Sequence, residues 1–404
     1  MKIIFFLENN ANGGMDSFLS NLINYWPYSE DKIYLVCNKD HPGCDNLKDS
    51  IVKDFEFILH DVPLLLSEVD RLFFWLPRVI RKIIRPFYKV LLFPNQLKKI
   101  ISLFEDINAD RLISINGAYP GGETCRIANI AWHKMGNEPS IHNIHNFAIR
   151  PRFLIRWFEN WIDNQLKNSV KKFIAVSHIC AESLELRPKL KNSKKISYIH
   201  NGVCQPSAEE ENIFNLRREL KINKSKICLM LGNYESRKGH SFLFRSFKKV
   251  TEKYSDISLV ICGDGSAAQK KQVKKILKKI APNLDIHLLG FIPNGRALIN
   301  QADILLIASQ EWESFGLTAA EAMIRKVPVV STNSGGLAEV IGKNGEAGFS
   351  IDIDDTESFS ESILILLKDD KKRASIIAKG YKRSNNLFTV ERMASEYAEI
   401  IRDN

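Results

Sequence analysis

A chain of 404 residues is too long for one ordinary core and suits two α/β domains. Its 45% hydrophobic content excludes large-scale disorder, and no run has the length of a membrane-spanning helix. A formal charge of +10 admits anionic partners, with nucleotide-sugars and acidic lipid headgroups ranked above nucleic acid, for which no arginine-aromatic module stands out.

The seven cysteines are odd in number, scattered and without a C-x-x-C pair, which fits a reducing compartment. The start, Met1 to Leu7, is too short for the apolar region of a signal peptide, so a cytoplasmic protein is expected.

Residues 2–7 read as a first buried strand, 8–14 as a loop closing on Gly13 and Gly14, and 15–25 as a helix. That is how a doubly wound α/β domain opens. Strands are expected at 32–37 and 55–59. The stretch 71–104 breaks the pattern: Arg71, Arg78, Arg81, Lys82, Arg85, Lys89, Lys98 and Lys99 stand among Phe74, Trp75, Phe87, Tyr88 and other apolar residues, with no acid. Basic residues around apolar clusters suit an interfacial helix on an anionic membrane surface, and Pro77, Pro86 and Pro94 are expected to break it into short pieces. The competing reading is an ordinary helix with a core face and a solvated basic face.

Strands at 111–115 and 140–144 flank a helix at 123–135, which the glycine-rich loop 116–122 precedes. A basic, aromatic helix (150–172), a strand at 173–176 ending on Ser177 and a strand at 195–199 complete a first domain of residues 1–204. The polar run 205–225 reads as a linker, 226–387 as a second domain and 388–404 as a terminal helix.

In the second domain the strand 227–231 runs into Gly232, Asn233 and, further on, Lys238 and Gly239. The strand 259–262 runs into Gly263 and Gly265. An apolar run, 302–308, precedes a loop carrying Glu313, a helix with Glu321, a strand at 327–331, and Gly335 and Gly336 opening a short helix with Glu339. Glu313 therefore falls in a strand-to-helix loop at the carboxyl edge of a parallel sheet, where open α/β folds bind ligands. Glu321 is read as two turns into the helix, on roughly the same face. Such carboxylates accept bonds from sugar hydroxyls, and the amides of Gly335 and Gly336 are expected to face a phosphate. Asp352 and Asp354 have D-x-D spacing but read as a solvated turn away from the site.

Glu313, Phe315-Gly316, Glu321-Ala322-Met323, Pro328 and Gly335-Gly336-x-x-Glu339 together resemble, in register, the signature of retaining glycosyltransferases of family four, the glycosyl transferases group 1. The resemblance implies a GT-B fold: two Rossmann-like doubly wound domains facing a central cleft, the first binding the acceptor and the second a nucleotide-sugar, with the last helix crossing back to the first. Gly232, Lys238 and Gly239 match the family's donor-diphosphate loop. Asn233 replaces its arginine, and Arg237 is the available substitute. Asn201-Gly202-Val203 matches the turn closing the first domain, with Cys204 where an aspartate is usual.

By the same resemblance, Gly13 and Gly14 lie near the donor phosphates, Gly263 and Gly265 form the glycine turn, and Gly290, Phe291 and Ile292 read the base. Glu313, Ser314, Phe315, Gly316 and Leu317 meet the donor, and Glu321 the ribose. His145, or alternatively His142, stands close to the transferred sugar, both being read as lying on one face of their strand. Asn116 and Tyr119 are assigned to the acceptor side.

The implied reaction moves a hexose or N-acetylhexosamine from a nucleotide diphosphate sugar, UDP favoured, with Lys238, Glu313 and His145 as the catalytic set. No cofactor or metal is expected. The acceptor is read as a glycan or polyprenyl-linked glycan of surface polysaccharide synthesis (lipopolysaccharide, O-antigen or capsule), met at the inner face of the membrane. An epimerase on the same fold, or a non-catalytic sugar-nucleotide binding protein, are the alternatives.

Overall fold

The computed structural model describes residues 1–10, 13–207 and 214–403. Two compact units emerge: Met1–Gly202 together with Val390–Asn404, and Val203–Thr389. Of the run read as a linker, 208–213 lie outside the described residues, and Leu216–Glu219 form a short helix with Leu216 buried.

In the first unit β1 (Lys2–Leu7), β2 (Lys32–Asn38), β3 (Glu56–His60), β4 (Arg111–Asn116), β5 (Ser140–Ile144), β6 (Val170–Ala175) and β7 (Ile196–Tyr198) make one sheet, ordered 3-2-1-4-5-6-7. Every neighbouring pair is parallel. Parallel strands need long crossovers, which lay helices over both faces and leave the strands as continuous apolar runs. β1 shows the two-residue period at work. Ile3, Phe5 and Leu7 face a layer with Phe18, Leu22 and Tyr397, while Ile4 and Phe6 face Phe104, Trp132 and Phe158. The order of the sheet reverses between β1 and β4.

The helix Val390–Arg402 belongs to the first of these layers. Asn143 donates to the Tyr397 hydroxyl at 2.5 Å. Arg402 bonds both carboxylate oxygens of Asp31 at 2.7 Å and lies 3.5 Å from the centre of the Tyr28 ring.

The basic segment departs from expectation. Arg78–Ile107 is a single helix of 30 residues with Pro86 and Pro94 inside it. Each interior proline costs about 3 kcal/mol through a lost N–H bond and a crowded carbonyl four residues back. Against that, Leu92, Phe93, Ile100, Phe104 and Ile107 bury the inner face, at about 1.5–3 kcal/mol for each large apolar side chain. Burial wins. The charge of the segment is also divided. Lys89 is buried 2.8 Å from Glu123, and Arg81 and Arg85 meet Asp70 at 3.0 and 3.1 Å. Among the described residues, no helix is long and apolar enough to cross a membrane.

The second unit repeats the plan. β8 (Lys226–Leu231), β9 (Ile257–Cys262), β10 (Ile286–Leu289), β11 (Ile304–Ile307), β12 (Val329–Thr332) and β13 (Phe349–Ile351) form a parallel sheet ordered 10-9-8-11-12-13. Met230, Leu259 and Ile261 pack on Phe242, Phe247 and Phe359. Here the order reverses between β8 and β11.

Candidate active site

Because the six strands of the second unit are parallel, their carboxyl ends share one edge. Gly232 follows β8, Gly263 follows β9, Gly290 follows β10, and the loop from Ser309 follows β11. Backbone bonds lace these loops together. Gly232 N–H donates to the Cys262 carbonyl at 3.0 Å, Tyr234 N–H to that of Asp264 at 2.8 Å, and Gln310 N–H to that of Arg237 at 2.7 Å. Two glycines are fixed by space. A β-carbon on Gly263 would lie 2.0 Å from the Gly232 oxygen, and one on Gly239, at φ +72°, 1.8 Å from the Ala308 oxygen. The first approach seats the loop 232–239 against the loop after β9, and the second against the end of β11, at the point where the strand order reverses and such sheets open a crevice.

Opposite charges meet there. Lys238, at the end of the turn Ser236–Lys238, donates a short hydrogen bond to Glu313 Oε1. The Ser309 hydroxyl donates to the same oxygen at 2.6 Å, and Arg237 Nη1 is 3.6 Å away. Arg237 also bonds Glu235 at 2.6 Å and lies over the Trp312 ring at 4.9 Å. Guanidinium and ammonium thus stand side by side, with Glu313 holding their heads in place. Together they present the charged donors that diphosphate recognition requires. Asn233 is exposed and brings no charge.

The carboxylate pair is arranged differently from the expectation. The helix Leu317–Ile324 begins only after Gly316, whose φ of +102° turns the chain, so Glu313 is a loop residue and Glu321 lies one turn into the helix, not two. Helical periodicity therefore does not set the position of Glu313. Gly336 N–H, expected to face a phosphate, donates to the Glu313 carbonyl at 2.8 Å and fixes that loop instead. Phe315 is buried, its ring 5.5 Å from that of Phe388, so it anchors the loop between the half-buried Ser314 and Leu317. Gly265 fits against Tyr234, whose Cβ would lie 3.0 Å from an added β-carbon, and the Tyr234 hydroxyl bonds the Leu289 carbonyl just before Gly290, the exposed Phe291 and Ile292. The Asp352–Asp354 turn is exposed, but it is not remote: Asp354 N–H donates to Gln310 Oε1 at 3.0 Å. Among the described residues no cluster of His, Cys, Asp and Glu has the arrangement of a metal site.

The model of the family described as glycosyl transferases group 1 matches residues 212–383, which contain this whole edge. N-acetyl-alpha-D-glucosaminyl L-malate synthase of Bacillus anthracis is 26% identical over 271 residues, covering 67% of this chain and 64% of that protein, just under two thirds of its length. A glycosyltransferase structure from Rickettsia africae superposes with a TM-score of 0.77 at 20% identity, over 100% of this chain and 99% of the other. Anabaena HepE in complex with UDP and glucose gives 0.74 at 17% identity, with both chains fully covered. Over residues 212–383 the chain is similar to the glycosyl transferases group 1 family. Its fold is GT-B.

The first unit offers fewer open side chains than expected. His145 follows β5. Its N–H donates to the carbonyls of Asn116 and Gly117 at 2.9 and 3.0 Å, and its ring stands edge-on to Phe18, centroids 4.3 Å apart. Burial pushes its imidazole down to about 3, so it is neutral near pH 7. His142 does not share its face, because three residues along a period of two reverse the direction. It is fully buried, with Nδ1 2.7 Å from Ser114 Oγ and 3.1 Å from Asn129 Nδ2. Tyr119 is also fully buried, its hydroxyl donating to Asp163 at 2.7 Å. Asn116 is buried and donates to the Ala118 carbonyl at 3.0 Å. Asn116 and Tyr119, expected on the acceptor side, and His142, the alternative to His145, are thus buried and bonded within the first unit.

Gly14 begins the helix Gly14–Asn24, and residues 11 and 12 of the preceding loop lie outside the described ones. The amide of Gly13 donates to Asp16 at 3.2 Å, and Asp16 also engages Asn9 at 2.9 Å and His41 at 3.1 Å. An aspartate therefore already occupies this helix start, which works against a phosphate there. Sequence reasoning passed over Asp16, His41 and Glu8. Glu8 follows β1 directly and accepts both the N–H and the hydroxyl of Thr124, at 2.7 and 2.6 Å; burial nevertheless pushes its carboxyl above the usual range. Its position beside the reversal of strand order was the available signal. Ser177, at the end of β6, caps the next helix by accepting Cys180 N–H at 3.2 Å.

Proposed function

We propose that the chain is a retaining glycosyltransferase that moves a hexose or N-acetylhexosamine from a UDP-sugar to a glycan or lipid-linked glycan acceptor of surface polysaccharide synthesis. The observation that carries the reading is the meeting of Lys238 and Arg237 with Glu313 at the reversal point of the second sheet. The relative named for N-acetylglucosaminyl transfer and the UDP-bound structural neighbour support the donor class.

The difficult event in such a transfer is departure of the diphosphate, which gathers negative charge as the glycosidic bond breaks. Lys238 and Arg237 stabilise that charge from fixed positions, and one preorganised donor of this kind is worth about 3–4 kcal/mol. Glu313 orients sugar hydroxyls and Glu321 the ribose diol. Because Glu313 Oε1 is already bound by Lys238 and Ser309, it is suited to accepting hydrogen bonds rather than attacking carbon. That supports attack by the acceptor hydroxyl on the face the diphosphate leaves. In this reading the two side-chain cations fill the role of a divalent ion, and transfer proceeds in chelator.

The test is a screen of nucleotide-sugars for hydrolysis and transfer, followed by Lys238→Ala and Glu321→Ala. Lys238→Ala is expected to lower kcat by a factor of about 10²–10³, and Glu321→Ala to raise the donor KM. Near-normal transfer by both variants would remove the mechanism. An epimer formed from donor alone would favour the epimerase reading.

A further inference from the structure

We infer that the first unit docks on an anionic lipid bilayer through a surface built from the turn 73–77, the outer face of the helix Arg78–Ile107 and the start of the helix Arg156–Ser169. Val79, Ile83, Phe87 and Leu91 recur every four residues, so at about 100° per residue they form one stripe along the long helix. All four are at least half exposed, Val79 at 69% and Leu91 at 75%. At the head of the stripe stand Phe74 and Trp75, exposed by 75% and 67%. A second exposed apolar run lies on a helix packed against the long one. Phe93 packs edge-on to Trp161 with centroids 5.2 Å apart, and steps of four residues lead from Trp161 to Trp157 and to Phe153, exposed by 65% and 88%. Water-facing apolar surface of this extent marks a site of interaction.

The flanking charge selects the occupant. Arg78, Lys82 and Lys98 on the long helix, and Arg150 and Arg156 beside Phe153, are exposed and have no carboxylate partner among the described residues. Neither 71–104 nor 146–158 contains an Asp or Glu. The other cations of the long helix face carboxylates: Arg81 and Arg85 that of Asp70, Lys89 inward that of Glu123, and Lys99 that of Asp61. A second copy of this chain would set cation against cation across the contact. Exposed Trp and Phe flanked mainly by Lys and Arg match the composition that lies in the interface of an anionic bilayer, aromatic rings at headgroup depth and ammonium and guanidinium groups on phosphates. The inference uses the first unit alone and does not depend on the donor chemistry of the second.

The test is co-sedimentation of the full chain with vesicles of phosphatidylcholine alone and of phosphatidylcholine mixed with phosphatidylglycerol, at low and high salt. Binding is expected to the mixed vesicles, weakened by salt, with a blue shift of tryptophan emission. Arg78→Glu/Lys82→Glu should weaken it more than tenfold, and Trp75→Asp/Trp157→Asp should abolish the shift. All four positions are exposed, so unfolding midpoints and nucleotide-sugar hydrolysis should stay at the unmodified level. Absence of binding, equal binding to neutral vesicles, or sedimentation equilibrium showing a dimer that Trp75→Asp dissociates would each overturn the inference.

Discussion

Gly239 and Gly263 are held to glycine by contacts under 2.1 Å with neighbouring backbone, so a methyl at Gly239 pushes the turn carrying Lys238 off the strand end before Glu313, and one at Gly263 pushes the loop after β9 off the start of the loop 232–239. Gly239→Ala adds the strain of φ +72°, of order 1–3 kcal/mol. The expected outcome for each alanine variant is a lower unfolding midpoint of the second unit and weaker nucleotide-sugar binding, measured by calorimetry, with the first unit's midpoint unchanged. Gly232 is the control: an added β-carbon there meets nothing closer than 3.6 Å, so Gly232→Ala should leave stability within about 1 kcal/mol. His145 makes a separate prediction at this scale. With its imidazole already neutral down to about pH 3, donor turnover should show no titration assignable to it between pH 5 and 9. If His145→Gln removed an inflection near pH 6.5, its neutral assignment would fail.

At the scale of elements, the long helix is held by what it buries rather than by its own hydrogen bonds. Lys89 reaches Glu123, Gln96 donates to the Pro63 carbonyl at 2.8 Å, and Phe93 meets Phe158. Pro94 is exposed and contributes none of this. Pro94→Ala restores an N–H opposite the Val90 carbonyl and should raise the stability of the first unit by about 1 kcal/mol, read as a higher unfolding midpoint. A lower midpoint would show that the kink itself is needed for the inner face to pack. Sequence inspection read the prolines as breaks because it weighed local propensity. The apolar inner face that overrides them is legible only once its partners, the helices Glu123–Lys134 and Arg156–Ser169, are in place.

At the scale of the molecule, the first unit is discontinuous in sequence, closed by a helix from the far end of the chain. Arg402→Ala should therefore destabilise a unit that begins at Met1. It strips two bonds from Asp31, whose side chain is fully buried and keeps, among the described residues, the N-terminal ammonium and Trp26; the expected loss is about 1–3 kcal/mol. Acid should act on the same unit. Burial pushes His60 down to about 4 and His142 to about 3, whereas both titrate near 6.5 when unfolded. Below 6.5 the unfolded chain binds protons that the folded one refuses. Stability is therefore full above about pH 6.5 and falls as pH drops toward 4, by about 1–2 kcal/mol for each histidine between pH 7 and 5. Urea unfolding across that range checks the slope; a flat profile would mean these rings are hydrated.

What the amino-acid order determined by itself were the repeating strand–loop–helix units, and with them the α/β class and the motif of Glu313, Glu321 and the downstream glycines, because apolar periodicity and glycine placement are local properties. Lys238 and Glu313 were each legible as candidates, but their contact spans 75 residues and exists only because β8 and β11 are neighbours at the reversal of the sheet. The fates of Tyr119 and His142 were likewise settled by tertiary structure, since a polar side chain becomes interior only when Asp163, Ser114 and Asn129 are brought up to bond it. The basic helix divides the same way: its composition is written in the sequence, but which cations turn inward to carboxylates and which remain on the surface is decided by the helices packed against it.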